Sequence, residues 1–328
     1  MGVFSRGSLS KSATRTLGGA GAALLMLGTS FPARALARTT CAYAGAPMNT
    51  LTVRVSGEAV AEIKRQGIQL TVRDQGGPVI GCAGGAATVL NTDTIVVRLG
   101  DVDFVDVDLR GGPFAPGATL EGEGASEIEI EISTDLGAAD IIGTAGDDEW
   151  HWGRGPHEAN PALNLNPREA GDQDVDVTAT REAFAAAPII ANGGGGNDTI
   201  IGAPGAKLRG VVIAHGGPGQ DVLSAPAVPR GVFEASAVLL GGSGDDVVTG
   251  GQAGDRLAGG AGEDRVDGRN GADHITGGAG RDRLFGGTGR DVMMSRDYAR
   301  DTVSCGAGSD RVVSDRRDAV RGCEQVRR

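Results

Sequence analysis

Aromatic residues are scarce in this sequence and make up only 3% of its 328 residues. Because 40% of the residues are nevertheless hydrophobic, we expect an aliphatic core large enough for one or two domains. The N-terminal stretch from Leu17 to Leu27 is rich in leucine and small residues. It is shorter than the roughly 20 residues that a membrane-spanning helix needs. No other segment is apolar enough to cross a membrane, so the sequence predicts no span after residue 37.

The common catalytic motifs are also missing. The sequence contains no G-x-S-x-G nucleophile elbow, no Walker loop, no paired C-x-x-C and no H-E-x-x-H. Two groups of residues have types that occur in active sites: Trp150, His151, Trp152, His157 and Glu158, and Asp101, Asp103, Asp106 and Asp108. We interpret the first group as an irregular loop and the second as the polar positions of alternating strands.

Positive charge is in the minority, and the formal net charge is −11. Residues 1–37 contain four basic and no acidic residues, so the rest of the chain has 27 basic and 42 acidic residues, a net charge of −15. This balance argues against nucleic acids and anionic membrane surfaces as partners. It favours the binding of cations.

Residues 1–37 have the pattern of a signal peptide. Arg6, Lys11 and Arg15 form a basic region, Leu17 to Leu27 form the apolar region, and Ala35-Leu36-Ala37 is an A-x-A cleavage site. A membrane anchor is the alternative interpretation. The pattern predicts that the mature protein is secreted and begins near residue 38.

Four cysteines suit an exported protein, in which disulfides persist. Three pairings are possible, and free buried thiols are the alternative. The local pairs, Cys41 with Cys82 and Cys305 with Cys323, would each cross-link one end of the chain.

The first half of the mature chain is predicted to be rich in β-strands. Period-two alternation at 51–55, 102–104 and 128–132 predicts strands over 38–140, and Ala59 to Arg65 fits either a short helix or a strand. Residues 141–240 contain degenerate repeats, which begin at Gly143, Gly193 and Gly216 and are separated by excursions. Prolines in 151–190 indicate a long loop or an insertion.

Glycine is the most unusual component, at 57 residues, and it recurs with aspartate every nine residues over 241–294. Six copies begin at Gly241, Gly250, Gly259, Gly268, Gly277 and Gly286. Each copy has an aspartate at its sixth position and an apolar residue two positions later. These apolar residues are Val248, Leu257, Val266, Ile275, Leu284 and Met293. The period predicts a parallel β-roll solenoid in which two nonapeptides form one coil and the apolar residues form an inner ladder.

The chemistry of the repeat predicts calcium binding. Glycine permits positive φ, which turns carbonyls toward a common point, and aspartate adds a hard, charged oxygen. The predicted carboxylate ligands are Asp198, Asp221, Asp246, Asp255, Asp264, Asp273, Asp282, Asp291 and Asp310. The predicted carbonyl ligands lie near Gly242, Gly244, Gly260, Gly262, Gly271, Gly278, Gly280, Gly287 and Gly289. A metal-free solenoid or a disordered linker remains the alternative. Ala253 and Arg269 replace expected glycines.

This tract resembles the hemolysin-type calcium-binding (RTX) repeat family, most closely over 241–294 and more weakly over 143–150 and 193–223. The layout from Cys41 to Cys323 resembles secreted actinobacterial members. The resemblance implies an all-β fold with a calcium-stabilised parallel β-roll and an extracellular location. The chain lacks the pore-forming region of the family's toxins, so haemolysis is not implied. Residues 295–328 keep an Asp-x-apolar rhythm and are predicted to cap the solenoid.

Two functions follow from these observations. The first is a secreted, non-enzymatic calcium-binding protein with a structural or surface-interaction role and an extracellular partner that the sequence does not name. The alternative is a secreted hydrolase whose active site lies in residues 38–190, with the repeats as a calcium-dependent folding module. The missing catalytic motifs favour the first.

Overall fold

The computed structural model describes residues 38–46, 48–74, 76–100, 103–111, 128–133, 138–154, 161–165, 177–180, 189–202, 211–225 and 236–328. The predicted signal peptide, Asp101, His157 and Glu158 lie outside the described residues. One compact unit contains all of the described residues. Within these ranges, the structure contains no helix long and apolar enough to cross a membrane.

The described residues form β-strands joined by turns, with one short 3-10 helix at Leu109–Gly111. The strands before the first degenerate repeat are β1 (Arg38–Ala44), β2 (Thr50–Ser56), β3 (Val60–Gln66), β4 (Gln69–Asp74), β5 (Val79–Ile80), β6 (Thr94–Leu99), β7 (Phe104–Asp108), β8 (Glu129–Ser133) and β9 (Ala138–Ile142). The segment for which both a helix and a strand were predicted is therefore strand β3.

The degenerate repeats contribute β10 (Glu149–Arg154), β11 (Pro161–Asn164), β12 (Val177–Thr180), β13 (Ile189–Asn192), β14 (Thr199–Gly202), β15 (Val211–Pro218), β16 (Val222–Ser224) and β17 (Ser236–Ser243). The regular repeats and the C-terminal segment contribute β18 (Val247–Thr249), β19 (Arg256–Ala261), β20 (Arg265–Asp267), β21 (His274–Ala279), β22 (Arg283–Gly289), β23 (Val292–Met294), β24 (Thr302–Gly308), β25 (Arg311–Val313), β26 (Ala319–Arg321) and β27 (Gln325–Arg327).

These strands form two long sheets that face each other along the solenoid. The first has the order β1-β2-β6-β8-β12-β11-β10-β14-β16-β18-β20-β22-β24-β26, and the second has the order β27-β25-β23-β21-β19-β17-β15-β13-β9-β7-β3-β4-β5. From β13 onward, consecutive strands alternate between the sheets, and every pair is parallel. The all-β, parallel β-roll prediction is confirmed.

Strand register confirms that two nonapeptides make one coil. Val248 lies opposite Val266 and Leu257 lies opposite Ile275, so paired residues are 18 positions apart. Their side chains are buried, as are those of Leu284 and Met293 farther along the tract. Because β18 buries only its central residue, as do β20 and β23, each strand of the regular repeats adds one apolar side chain to a narrow core. Such a core leaves much of the coil's cohesion to backbone pairing and to the turns.

The N-terminal half belongs to the same two sheets as the repeats. Strand β8 pairs with β6 on one side and β12 on the other, and β9 pairs with both β7 and β13. The described parts of the 151–190 excursion form the end of β10, all of β11 and β12, and the start of β13, and β11 and β12 fill the first sheet between β8 and β10. The irregular loop predicted for Trp150, His151 and Trp152 is wrong, because these residues lie on β10 and pair with β11 and β14. The proposed domain boundaries stay a prediction, while the sheets themselves run from one end of the solenoid to the other.

Two disulfides cross-link the ends of the solenoid. Cys41 bonds to Cys82 near the first strand, and Cys305 bonds to Cys323 in the C-terminal segment. The local pairing is therefore confirmed. Cys305 is fully buried and follows β24's core residue Val303 by two positions, so the second bond lies at the end of the inner ladder.

Candidate metal centre

The turns between repeat strands have the left-handed backbone conformation that their glycines permit. All nine glycines predicted to present carbonyls have φ between +103° and +143°. At Gly260 this conformation coincides with close stacking, because an added Cβ would lie 2.0 Å from the carbonyl oxygen of Gly242 in the preceding coil. Arg269, which replaces a repeat glycine, has a φ of +67°. A residue other than glycine can therefore adopt the left-handed conformation at this position of the turn.

The repeat aspartates form a continuous hydrogen-bonded series along one edge of the solenoid. In each step the backbone N–H of one aspartate donates to a carboxylate oxygen of the aspartate one coil later, at 2.8–3.2 Å. We call this series the long aspartate ladder, and its members are Asp148, Asp198, Asp221, Asp246, Asp264, Asp282, Asp301 and Asp318.

A second series follows the opposite edge, where the alternate turns lie. We call it the short aspartate ladder, and its members are Asp255, Asp273, Asp291 and Asp310. At its N-terminal end the backbone N–H of Ala237 donates to Asp255 Oδ1 at 2.7 Å. At its C-terminal end Asp310 N–H donates to Glu324 Oε2 at 2.8 Å. Each of the nine predicted carboxylate ligands therefore lies on one of the two edges of the solenoid.

Most ladder aspartates have a second carboxylate oxygen that is buried without a hydrogen-bond partner. This holds for nine of them within the described residues: Asp198, Asp221, Asp246, Asp264, Asp273, Asp282, Asp291, Asp301 and Asp310. Each of these residues is at most 1% exposed. A charged oxygen that is buried without a hydrogen-bond partner raises the free energy of the folded state. Nine such oxygens in two regular rows therefore indicate a ligand that neutralises them.

The first glycine of each turn leaves the space that this oxygen occupies. A Cβ added to Gly241 would lie 2.3 Å from Asp246 Oδ2 and 2.5 Å from the carbonyl oxygen of Gly259 in the next coil. Gly259 has the same relationship to Asp264 Oδ2, again at 2.3 Å. Carboxylate and carbonyl oxygens from successive coils thus approach the same space, which only glycine keeps open.

In the absence of a cation, burial disfavours the ionised form of several ladder carboxylates by raising their pKa. It raises the pKa of Asp198, Asp246 and Asp273 to about 7, and neighbouring carboxylates raise it further while hydrogen bonds from the backbone oppose the shift. The pKa of Asp301 is raised to about 7 and that of Asp282 to about 6 for the same reasons. A bound cation would remove this penalty by supplying opposite charge.

The available ligands are those of a hard cation. No three His, Cys, Asp or Glu side chains converge on one point anywhere in the described ranges. A metal at these edges would therefore be held by one carboxylate per turn, supplemented by backbone carbonyls. Such an all-oxygen set suits Ca²⁺, and it lacks the nitrogen and sulfur ligands that zinc sites use. The residues present thus fit calcium.

One predicted ligand differs from the others. The turn before Asp255 contains Ala253 in place of a glycine, and none of its glycines has a positive φ. In this turn the backbone N–H of Gly251 donates to Asp255 Oδ2 at 2.6 Å. The protein itself therefore supplies a hydrogen bond to the oxygen that is left without one in the neighbouring repeats.

The structure adds members to the ladders that were not predicted as ligands. These are Asp148, Asp301 and Asp318 in the long ladder, and Glu324 accepts the hydrogen bond from the last member of the short ladder. The Asp-x-apolar rhythm, which Asp301-Thr302-Val303 and Asp318-Ala319-Val320 retain, was the available signal. Asp301 most resembles the predicted ligands because its Oδ2 is buried and without a partner, whereas Asp318 Oδ2 accepts hydrogen bonds from Ser295 and Asp315.

Comparison with known proteins identifies this same part of the chain. The family model for the RTX calcium-binding nonapeptide repeat, which spans four copies, matches residues 190–206, 238–266 and 258–293. No curated protein and no solved structure matches the chain. The matched ranges contain four members of the long aspartate ladder and three of the short one: Asp198, Asp246, Asp264, Asp282, Asp255, Asp273 and Asp291. The chain therefore carries RTX calcium-binding repeats, arranged as a parallel β-roll.

Proposed function

We propose that this protein is a secreted calcium-binding solenoid with a structural or surface-interaction role, in which Ca²⁺ at the two aspartate ladders stabilises the repeat tract. The observation that carries this proposal is the row of buried carboxylate oxygens without hydrogen-bond partners. The RTX repeat match and the glycine-lined space beside these oxygens support it.

The two carboxylate oxygens of an aspartate that would hold calcium have different roles. In the nine ladder aspartates whose Oδ2 is buried without a partner among the described residues, Oδ1 accepts a backbone N–H and thereby fixes the turn of the preceding coil, while Oδ2 is left for the cation. Carbonyls near the nine predicted glycines, all of which have a positive φ, would complete the ligand set. Calcium would supply the positive charge that lets neighbouring carboxylates remain ionised in a narrow, buried row.

Calcium binding would thus stabilise the folded state of the repeats. One apolar residue per strand gives the repeats a thin core, and glycine-rich turns lose much conformational entropy when they become ordered. Binding free energy then contributes directly to the free energy of folding.

Chelation tests this proposal. With EGTA, we expect residues 241–294 to lose β-signal in circular dichroism and to become sensitive to protease, and added Ca²⁺ should restore both. Mg²⁺ at the same concentration is the matched control, because it demands a tighter octahedral shell and retains its waters. Equal β content and melting temperature with and without Ca²⁺ would contradict the proposal.

The extracellular location is supported by two disulfides and by the RTX repeats themselves. Expression of the full chain in its native host, followed by detection of the protein in the culture medium, tests export. Retention of the whole pool inside the cell would argue against it.

A hydrolase remains the second candidate, because two half-buried carboxylates lie side by side in 38–190. Asp106 on β7 is paired in register with Asp140 on β9, and Glu62 lies on the other side of Asp106. Burial and neighbouring carboxylates raise the pKa of both aspartates to about 6, which would suit a general acid. Activity of the full chain on a glycoside panel, abolished by Asp106→Asn or Asp140→Asn, would support this alternative.

A further inference from the structure

Three arginines line a cavity at the N-terminal end of the first sheet. Arg38, Arg54 and Arg98 surround a volume of about 370 Å³, together with Thr40 and Ser56. The cavity is far in sequence from the aspartate ladders, which begin at residue 148. It is also a local concentration of positive charge in a chain whose net charge is −11.

Strand alternation directs these side chains to one face. Val53 and Val55 on β2 are buried, as is Leu99 on β6, so Arg54 and Arg98 project from the outer face of the sheet. Cys41 is likewise buried on β1, and its disulfide with Cys82 anchors the strand that carries Arg38 and Thr40. The positions of the three arginines are therefore set by buried neighbours and a covalent bond.

The arginines are adjacent in register. Arg54 lies directly opposite Arg98 in the parallel pair of β2 and β6, and Thr40 lies opposite Arg54 in the antiparallel pair of β1 and β2. Arg38 lies opposite Ser56, two residues along the same face. Neighbouring strands are about 4.8 Å apart, so the guanidinium groups can converge on one ligand.

None of the three arginines forms an ion pair within the described residues. The ion pairs found in the described ranges involve other side chains: Lys64 and Arg110 with Asp108, and Arg265 with Asp267. Glu131 on β8 lies opposite Val96, two residues from Arg98 along β6, and it too forms no ion pair with a described residue. Like charges directly opposite one another destabilise a sheet, so this group would be stabilised by an anion.

In a second in-register pair of arginines, neighbouring groups compensate the positive charge. Arg265 lies opposite Arg283 in β20 and β22, which is the same in-register arrangement. There, however, Arg265 is 3.2 Å from Asp267 and stacks over the ring of Phe285 at 4.2 Å. Among the residues that the structure describes, the three arginines at the N-terminal end have neither kind of partner.

We propose that the cavity formed by Arg38, Arg54 and Arg98 binds a tetrahedral oxyanion, a sulfate or phosphate group carried on a small polar molecule. Guanidinium groups match such oxyanions with paired N–H donors and stay charged at all physiological pH values. The volume lies at the lower end of small-ligand sites, yet it exceeds the space that a bare ion fills. The hydroxyl of Thr40 can bind the remainder of the ligand, and Ser56, whose hydroxyl donates to the backbone carbonyl of Arg38 at 3.3 Å, can still accept a hydrogen bond from it.

The test uses the full chain with calcium present and labelled with ¹⁵N-arginine. Inorganic sulfate and glucose 1-phosphate are the probes, because inorganic phosphate precipitates with calcium. We expect saturable changes in the Nε–H signals of Arg54 and Arg98, with glucose 1-phosphate binding at least as tightly as sulfate. Tighter binding of sulfate would overturn the assignment to a group carried on a larger molecule.

Paired variants separate a site from general charge attraction. Arg54→Gln with Arg98→Gln should weaken binding at least tenfold, while the matched control Arg265→Gln with Arg283→Gln should change it less than twofold. Circular dichroism of each variant verifies that the fold is retained. The proposal is overturned if neither probe saturates, if both pairs weaken binding equally, or if the Arg265 and Arg283 signals shift as much as those of Arg54 and Arg98.

Discussion

The backbone N–H of Asp246 donates a 2.9 Å hydrogen bond to Oδ1 of Asp264, which is 18 residues later and one coil along the solenoid. Oδ2 of the same Asp264 carboxylate is buried and has no hydrogen-bond partner among the described residues. The two oxygens of one side chain therefore serve different purposes. One connects consecutive coils regardless of metal, and the other is available to a cation.

Substitution of Asp264 separates these purposes. Asp264→Asn keeps an oxygen that can accept the Asp246 N–H, whereas Asp264→Ala leaves that buried N–H unsatisfied. In EGTA we therefore expect the alanine variant to lose about 1–3 kcal/mol in the free energy of unfolding and the asparagine variant to lose much less. Urea denaturation with and without Ca²⁺ provides the measurement. With Ca²⁺, both variants should lack part of the wild-type gain.

Position within a ladder should set how many ions a substitution removes. Asp273 lies between Asp255 and Asp291, whereas the partner before Asp255 is Ala237. If each ion lies between successive turns, Asp273→Ala should remove two ions and Asp255→Ala no more than one. Asp246→Ala should match Asp273→Ala, because Asp221 precedes it in the long ladder. Native mass spectrometry counts the bound ions, and equal losses at Asp273 and Asp255 would contradict shared sites.

The raised pKa values of the ladder aspartates predict an inverted pH dependence without calcium. The pKa of Asp198, Asp246, Asp273 and Asp301 is about 7 in the folded chain, compared with about 3.9 for an aspartate in an unfolded chain. The folded state binds more protons between these values, so its stability is greatest below pH 4 for these groups and falls as the pH rises through 7.

Thermal melts at several pH values test this dependence. In EGTA, we expect the melting temperature of the repeats to fall between pH 5 and pH 8. With Ca²⁺, the ion replaces the proton, so the gain in melting temperature should be small at pH 5 and large at pH 8. A calcium-free chain that becomes more stable over this interval would show that the carboxylates are ionised in the folded state.

The regular repeats could be predicted from the sequence because their local pattern repeats without interruption. A period of nine with one apolar residue two positions after each aspartate fixes both the coil length and the inner ladder from Val248 to Met293. The positive φ of Gly242 and its equivalents also follows from residue type, since glycine adopts that conformation most readily. Both disulfide pairs were among the possible pairings.

Other parts of the site depend on contacts that the local pattern does not specify. Asp148 joins Asp198 across 50 residues, and Asp310 joins Glu324 across only 14, so neither step has the spacing of the repeat. The substitution at Ala253 was visible, but the resulting hydrogen bond from Gly251 to Asp255 depends on the backbone conformation of that turn. Period-two alternation in the N-terminal half predicted strands without predicting their partners, because alternation identifies a face and not a neighbour.

The disulfide between Cys305 and Cys323 should stabilise the C-terminal end of the solenoid in particular. Cys305 is buried beside the last inner positions, Val303 and Val312, and its bond closes a separation of 18 residues. On the chain-entropy model, a loop of this length contributes about 3 kcal/mol to the free energy of unfolding.

Cys305→Ser with Cys323→Ser should therefore lower stability and raise amide hydrogen exchange at Val303 and Val312 before Val248 is affected, because fraying begins at the exposed end of the stack. The matched control, Cys41→Ser with Cys82→Ser, removes the other disulfide and should raise exchange around Val53 while the C-terminal strands stay protected. Hydrogen exchange followed by mass spectrometry resolves the two ends. If amide protection is lost equally along the whole chain in both variants, the solenoid unfolds as one cooperative unit and the Cys305–Cys323 bond has no local capping role.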